Sequence, residues 1–231
     1  MEENKVFRLI WRFNAIIIMG AGLLAIAVLA FSAISILGSV TRERQVSNVV
    51  NLNQESKIEE DLRFGEVREI TATPYLMLPL SSHQSYDRPS YQKTTDSTRN
   101  FLFFNSETGK RHWLLESNEY LIISDNTIAE PTLESQPNPV LAILYSIVKE
   151  DTDENKTLNN NDSFSIALSK PDGLEYREIL TEIERILGYK VIDRETLVLF
   201  YQKENKAYFT NVSFNDFSFS QPEELPTVGK N

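Results

Sequence analysis

The residues best placed to do chemistry lie in one short stretch, Glu150 to Asp162, "EDTDENKTLNNND". It packs five acidic residues and four asparagines into thirteen positions. Counted from Asp151, oxygen-bearing side chains fall at the first (Asp151), third (Asp153), fifth (Asn155), seventh (Thr157), ninth (Asn159) and twelfth (Asp162) places. A hard divalent cation takes ~6–8 oxygen ligands, and this is the spacing with which a single calcium loop supplies them: side chains at the early odd places, a backbone carbonyl at the seventh and a closing carboxylate at the twelfth. Leu158 stands where such a loop pins itself to a core. Two residues depart from the pattern. Lys156 occupies the place where glycine makes the sharp turn, and Asp162 is shorter than the usual glutamate. The competing reading is a solvated polar hairpin loop, because Asp and Asn side chains mimic turns.

The metal ligands expected from this spacing, which is that of an EF-hand-like loop, are therefore Asp151, Asp153, Asn155, Thr157, Asn159 and Asp162, with calcium as the ion. No other cofactor is expected. The catalytic inventory is thin: two histidines, His83 and His112, no cysteine, and neither a Gly-x-Ser-x-Gly elbow nor a glycine-rich phosphate loop. His112 precedes Trp113 in an expected strand, which is an ordinary ladder position. Glu59, Glu60 and Asp61 read as a solvated face rather than an acid/base pair. No catalytic residue is assigned, and the chain is read as a non-enzyme.

The elements that must position this loop begin with an apolar segment. No charged residue occurs from Phe13 to Thr41, and at ~1.5 Å per residue that run exceeds the ~30 Å hydrocarbon layer. A transmembrane helix over residues 13–41 is expected, since a cleaved signal peptide would carry a shorter apolar region of ~7–15 residues. Lys5, Arg8 and Arg12 before it, against Arg42 and Arg44 after it, place residues 1–12 in the cytoplasm. Residues 42–63 read as a stalk, 64–221 as an extracytoplasmic β-rich domain and 222–231 as a disordered tail. The net charge of −10 excludes nucleic acid as a natural partner.

Within 64–221 the pattern is that of strands. "EVREITATPYLMLPLSS" opens on alternation, and Pro79 is expected to end the ladder or mark an edge. Residues 83–99 read as a long exposed loop. "NFLFFNSETGKRHWLL" reads as a hairpin turning at Gly109, "EYLIISDN" as a third strand and "VLAILYSIVKE" as a buried one. The closing "TLVLFYQKENKAYFTNVSF" reads as strand, turn, strand, with Tyr208, Thr210, Val212 and Phe214 on one face. Tyr176, Ile179, Leu180, Ile183, Ile186 and Leu187 recur at helical spacing between Asp172 and Gly188, so periodicity predicts a helix there.

The hairpins "FLFFNSETGKRHWLL" and "LVLFYQKENKAYFTNV", and the acidic loop followed by "SFSIALSKPDG", resemble blades of TolB-type β-propellers. The resemblance covers about a third of the chain. It implies two or three blade-like sheets packed together, and two strands rather than a helix over Tyr176 to Val191.

The fold class expected is thus mainly β: one N-terminal transmembrane helix followed by an antiparallel, propeller-like or sandwich-like domain. The function expected is a non-catalytic accessory or assembly subunit of a membrane protein complex. It would sit single-pass in a cell inner membrane with its domain periplasmic or extracellular, and reach its partners through the small-residue face of the helix (Gly20, Gly22, Ala25) and through the β domain. The alternatives are a calcium-responsive sensor or adhesion module and a membrane-anchored hydrolase.

Overall fold

The computed structural model describes residues 5–40, 50–52, 59–88, 91–131 and 138–226. The chain divides into two compact units, one containing the N-terminal helix and residues 87–92, the other the remainder of the β-sheets. In chain order the elements are α1 (Lys5–Val40), β1 (Val50–Asn51), β2 (Glu59–Phe64), β3 (Arg68–Glu69), β4 (Tyr75–Arg88), β5 (Tyr91–Asn105), β6 (Arg111–Trp113), β7 (Leu121–Ala129) and β8 (Val140–Val148). There follow β9 (Thr157–Leu158), β10 (Phe164–Ser169), β11 (Arg177–Ile183), β12 (Arg185–Val191), β13 (Thr196–Lys203), β14 (Lys206–Ser213) and β15 (Glu223–Glu224).

The helix α1 corrects the membrane reading. Among the described residues, no helix is long and apolar enough to cross a membrane. Ile18, Leu24 and Phe31 are exposed on α1, and a Cβ added at Gly20 or Gly22 would meet nothing. The expected transmembrane helix over 13–41 is withdrawn on this finding. With it go the single-pass inner-membrane location, the membrane-complex partners, the role as an accessory or assembly subunit, and the membrane-anchored hydrolase.

The mainly β reading holds, and the sheets are antiparallel. Three of them are up-and-down meanders. The first runs β2-β4-β5-β6 with β3 also on β4, the second β11-β10-β8-β7 and the third β12-β13-β14-β15. The second sheet is the middle layer. One face of β8 (Ala142, Leu144, Val148) packs with Leu197, Leu199, Val212 and Phe217 of the third sheet and its following turn. The other face (Ile143, Tyr145, Ile147) packs with Met77, Phe101 and Phe103 of the first. Burial on both faces explains why "VLAILYSIV" is apolar almost throughout instead of alternating. Its one small polar interruption, Ser146, shares a hydrogen bond with Ser124 of β7 at 2.8 Å.

Pro79 lies inside β4 rather than ending it. On one side of β4, Leu76 and Met77 pair with β3 while Leu80 to Ser85 pair with β2, so the proline, which has no N–H to donate, falls where the partner strand changes. Its carbonyl accepts Gly65 N at 2.9 Å. Residues 83–88 and 91–99 are strand, not an exposed loop: β4 and β5 extend through them, and Ser97 and Arg99 are buried.

The helix expected over Tyr176 to Val191 is two strands, β11 and β12, as the blade resemblance implied. Ile179 and Ile183 are the buried residues of β11. A four-residue spacing is even, so it satisfies a strand face as well as a helix face. Two register shifts between β10 and β11 complete the imitation, since Leu180 pairs with Ile166 while Glu178 pairs with Ala167. Strands also occur within the expected stalk (β1, β2) and the expected tail, where Glu223 and Glu224 pair with Phe209 and Tyr208.

Candidate functional site

The acidic loop connects β8 to β10 in the middle sheet, and β9 lies within it. The loop is anchored at its centre. Leu158 of β9 is buried and pairs with Val50 of β1, and both side chains belong to the core shared by the second and third sheets. Leu52 N donates to Lys156 O at 2.9 Å, which extends that two-residue ladder.

Around this anchor lie three carboxylates, Asp162 buried, Asp151 half-buried and Asp153 exposed. Asp162 is 1% exposed. Its Oδ1 accepts hydrogen bonds from Thr152 N (2.7 Å), Thr152 Oγ1 (3.1 Å) and Asp153 N (3.3 Å), and its Oδ2 accepts one from Asn159 N (2.9 Å). Asp151 takes Asn155 N on Oδ1 at 3.1 Å and Lys156 N on Oδ2 at 2.6 Å. Asp153 takes Asn155 N at 3.2 Å and Asn155 Nδ2 at 2.7 Å. The backbone amides thus help to gather three carboxylates together. Each of Asp151, Asp153 and Asp162 offers an oxygen, and these oxygens lie within 4.8 Å of one another, close enough to hold a metal ion.

The other three expected ligands lie in the same loop in different roles. Asn155 Oδ1 accepts from the Thr157 amide at 2.8 Å and from the Thr157 hydroxyl. Asn159 is buried, and its Nδ2 donates to Thr157 Oγ1 at 3.1 Å. Lys156, the residue standing where glycine was expected, has φ +66°, the left-handed conformation that glycine would supply at that place, and Glu154 has φ +58°. The backbone therefore makes the sharp turn without the glycine.

A second polar feature adjoins the loop and went unnoticed in the sequence. A cleft of about 350 Å³ is bordered by Lys149, Glu150, Thr152, Ser163, Ser165 and Glu178, with Ile147 and Phe164 among its apolar lining. The side chains come from β8, from both ends of the acidic loop, from β10 and from β11, and the pairing of those strands brings them together. The Lys149 ammonium is bonded to Glu178 and lies 4.9 Å from the Tyr120 ring centre. Tyr176 OH donates to the same Glu178 oxygen at 3.2 Å, and burial pushes the Tyr176 phenol up from its ordinary range.

The two histidines do not join either feature. His112 stacks on Phe103 in β6, with ring centres 5.7 Å apart, and His83 lies in β4. Comparison with family models, with curated proteins and with solved structures finds no significant match to this chain.

Proposed function

We propose that this chain is a calcium-responsive, non-catalytic β module of propeller-like build, in which a bound cation stiffens the Glu150–Asp162 loop and the strands it joins. The single observation that supports it most is the approach of the Asp151, Asp153 and Asp162 oxygens to within 4.8 Å. Three carboxylates at that spacing repel one another unless a cation lies between them. Calcium suits the loop better than magnesium. It accepts ~6–8 oxygens at flexible geometry, including backbone and Asn carbonyls, whereas magnesium demands a near-ideal octahedron and keeps its waters. The Lys156 turn and the Leu158–Val50 pairing support the same reading, because they supply the sharp bend and the core anchor that a calcium loop needs. Asn155, the Thr157 carbonyl and Asn159 would complete the shell. The three stacked antiparallel sheets, two of four strands and one of five, support the propeller-like part, since a blade is a four-stranded sheet packed face to face on the next.

Thermal unfolding of the full chain tests the reading. Binding to the folded state alone adds RT ln(1 + [L]/Kd), about 2.7 kcal/mol at a hundredfold excess over Kd. Millimolar calcium, but not equal magnesium, should therefore raise Tm by several degrees over chelator, and Asp151→Ala with Asp153→Ala should abolish the rise. Superimposable melts in calcium and chelator would overturn it.

A further inference from the structure

We infer that the cleft beside the acidic loop is a binding site for a primary ammonium group carried on a short methylene chain. This inference does not rest on the calcium reading, since none of the three clustered aspartates is needed for it.

The charges of the cleft cancel in pairs until one is left. Lys149 is neutralised by Glu178, and Glu182, which also lines the cleft, is neutralised by Lys203 at 2.7 Å. Among the described residues Glu150, which is exposed, makes no hydrogen bond or ion pair, so the surplus charge of this lining is a single carboxylate at the rim. An anionic ligand would find the only lysine of the lining already occupied.

The hydroxyls lead to the same chemistry. Ser165 borders the cleft, and its Oγ, open to it, has no hydrogen-bond partner among the described residues. The hydroxyls of Ser163 and Thr181 in the same lining likewise have no partner among the described residues. Each hydroxyl offers two lone pairs, and an ammonium carries three N–H donors and no acceptor. One carboxylate with unengaged hydroxyl oxygens suits that donor set, while the charge disfavours a neutral polyol. Ile147 and Phe164 give methylene groups an apolar wall. The protein already holds one ammonium here in a related way, with Lys149 between a carboxylate and the face of Tyr120.

The test is titration of the full-length chain with n-butylammonium, followed by calorimetry or by amide shifts of residues 163–166, in chelator so that the neighbouring loop carries no divalent ion. The expected result is saturable one-site binding that weakens about tenfold in Glu150→Gln and about threefold to tenfold in Ser165→Ala, the latter matching ~0.5–1.5 kcal/mol for one hydrogen bond. Ser165→Ala leaves the net charge unchanged, so mere attraction of a cation to an acidic protein would not register it. A second arm titrates N-acetyl-lysine methylamide. Binding equal to or tighter than butylammonium assigns the site to a lysine side chain of a partner, and weaker binding assigns it to a free amine. Absence of saturation, equal affinity for n-butanol or butyrate, or affinities indifferent to both substitutions would overturn the inference.

Discussion

Asp162 reaches back across ten residues to Thr152, accepting both its amide, at 2.7 Å, and its hydroxyl, at 3.1 Å, on one oxygen. The Thr152 hydroxyl in turn accepts Ser163 N at 2.9 Å. Together these bonds close the loop at the point where it leaves β8 and enters β10. The carboxylate therefore organises the loop through backbone donors whether or not a cation shares it.

It follows that Asp162→Ala should be the most damaging substitution in the loop. It removes the acceptor of three backbone N–H groups and one hydroxyl, at a position almost fully buried. Leaving such donors unmatched should cost about 2–3 kcal/mol, read as a lower denaturation midpoint in urea. Asp153→Ala, on the exposed side of the loop, should cost well under half as much in chelator.

Gly173 tests the packing of the middle sheet on the first. It closes the turn between β10 and β11 with φ +80°, and its N–H donates to Lys170 O at 2.9 Å. A Cβ built there would lie 2.3 Å from Cδ2 of Phe103, which is fully buried. Gly173→Ala therefore combines left-handed strain with a core overlap and should destabilise by about 3 kcal/mol or more. A loss below ~1 kcal/mol would mean that the turn moves away from Phe103.

The sheets and the loop differ in how plainly the sequence announces them. The hairpin at Gly109, the buried run of β8 and the β13–β14 pair are local, since alternation and a positive-φ glycine suffice to find them. The ligand spacing from Asp151 to Asp162 was equally local, and the fold does gather three of its carboxylates. β11 was masked because bulges let both Ile179 and Leu180 face apolar neighbours, which mimics helical periodicity. The polar ends of β4 and β5 were masked because a strand held by a long neighbouring hairpin arm needs no apolar alternation of its own. The cleft was invisible for a different reason. Lys149, Ser165 and Glu178 are distant in sequence and meet only through the pairing of β8, β10 and β11, a relationship that no single window contains. The longest apolar run, Phe13 to Thr41, was the most conspicuous local signal, yet its described helix does not meet the requirement for a span.

Asp125 gives the protein a pH dependence with a definite sign. It pairs with Arg68 at 2.6 Å, joining β7 to β3, while the guanidinium lies 5.2 Å from the Phe101 ring centre. Burial raises its carboxyl above the ordinary value, and the Arg68 hydrogen bond and charge only partly offset this. Between the unfolded value and the raised folded one, the folded state binds more protons, so this group adds stability as pH falls through that window. Glu182, held by Lys203, and Asp216, held by Ser218, are lowered, and their contribution is lost on acidification instead. The difference in unfolding free energy between the wild type and Asp125→Asn should therefore shift in favour of the wild type as pH drops from 7 towards 4. A difference that is flat with pH, or that moves the other way, would show that the ion pair outweighs burial.

Lys156 carries the last prediction, because it is where the sequence and the backbone disagree. Its φ of +66° is one that an L-residue with a Cβ adopts at a cost of about 1–2 kcal/mol and glycine adopts freely. The conformation persists because Lys156 N is held by Asp151 Oδ2 at 2.6 Å and Lys156 O by Leu52 N at 2.9 Å, so both ends of the residue are fixed. Lys156→Gly should relieve the strain while keeping both bonds, since they use only the backbone. Part of that gain is returned through the greater freedom of glycine in the unfolded chain, leaving a net stabilisation of about 0.5–1 kcal/mol in chelator. The substitution also removes a positive charge from the rim of three carboxylates. If those carboxylates hold calcium, its affinity should rise, and the calcium-dependent increase in Tm should grow beyond that of the wild type at the same subsaturating calcium concentration. A variant that gains stability in chelator but gains nothing further from calcium would separate the two effects, leaving the strained turn as a feature of the loop and removing the ion from it.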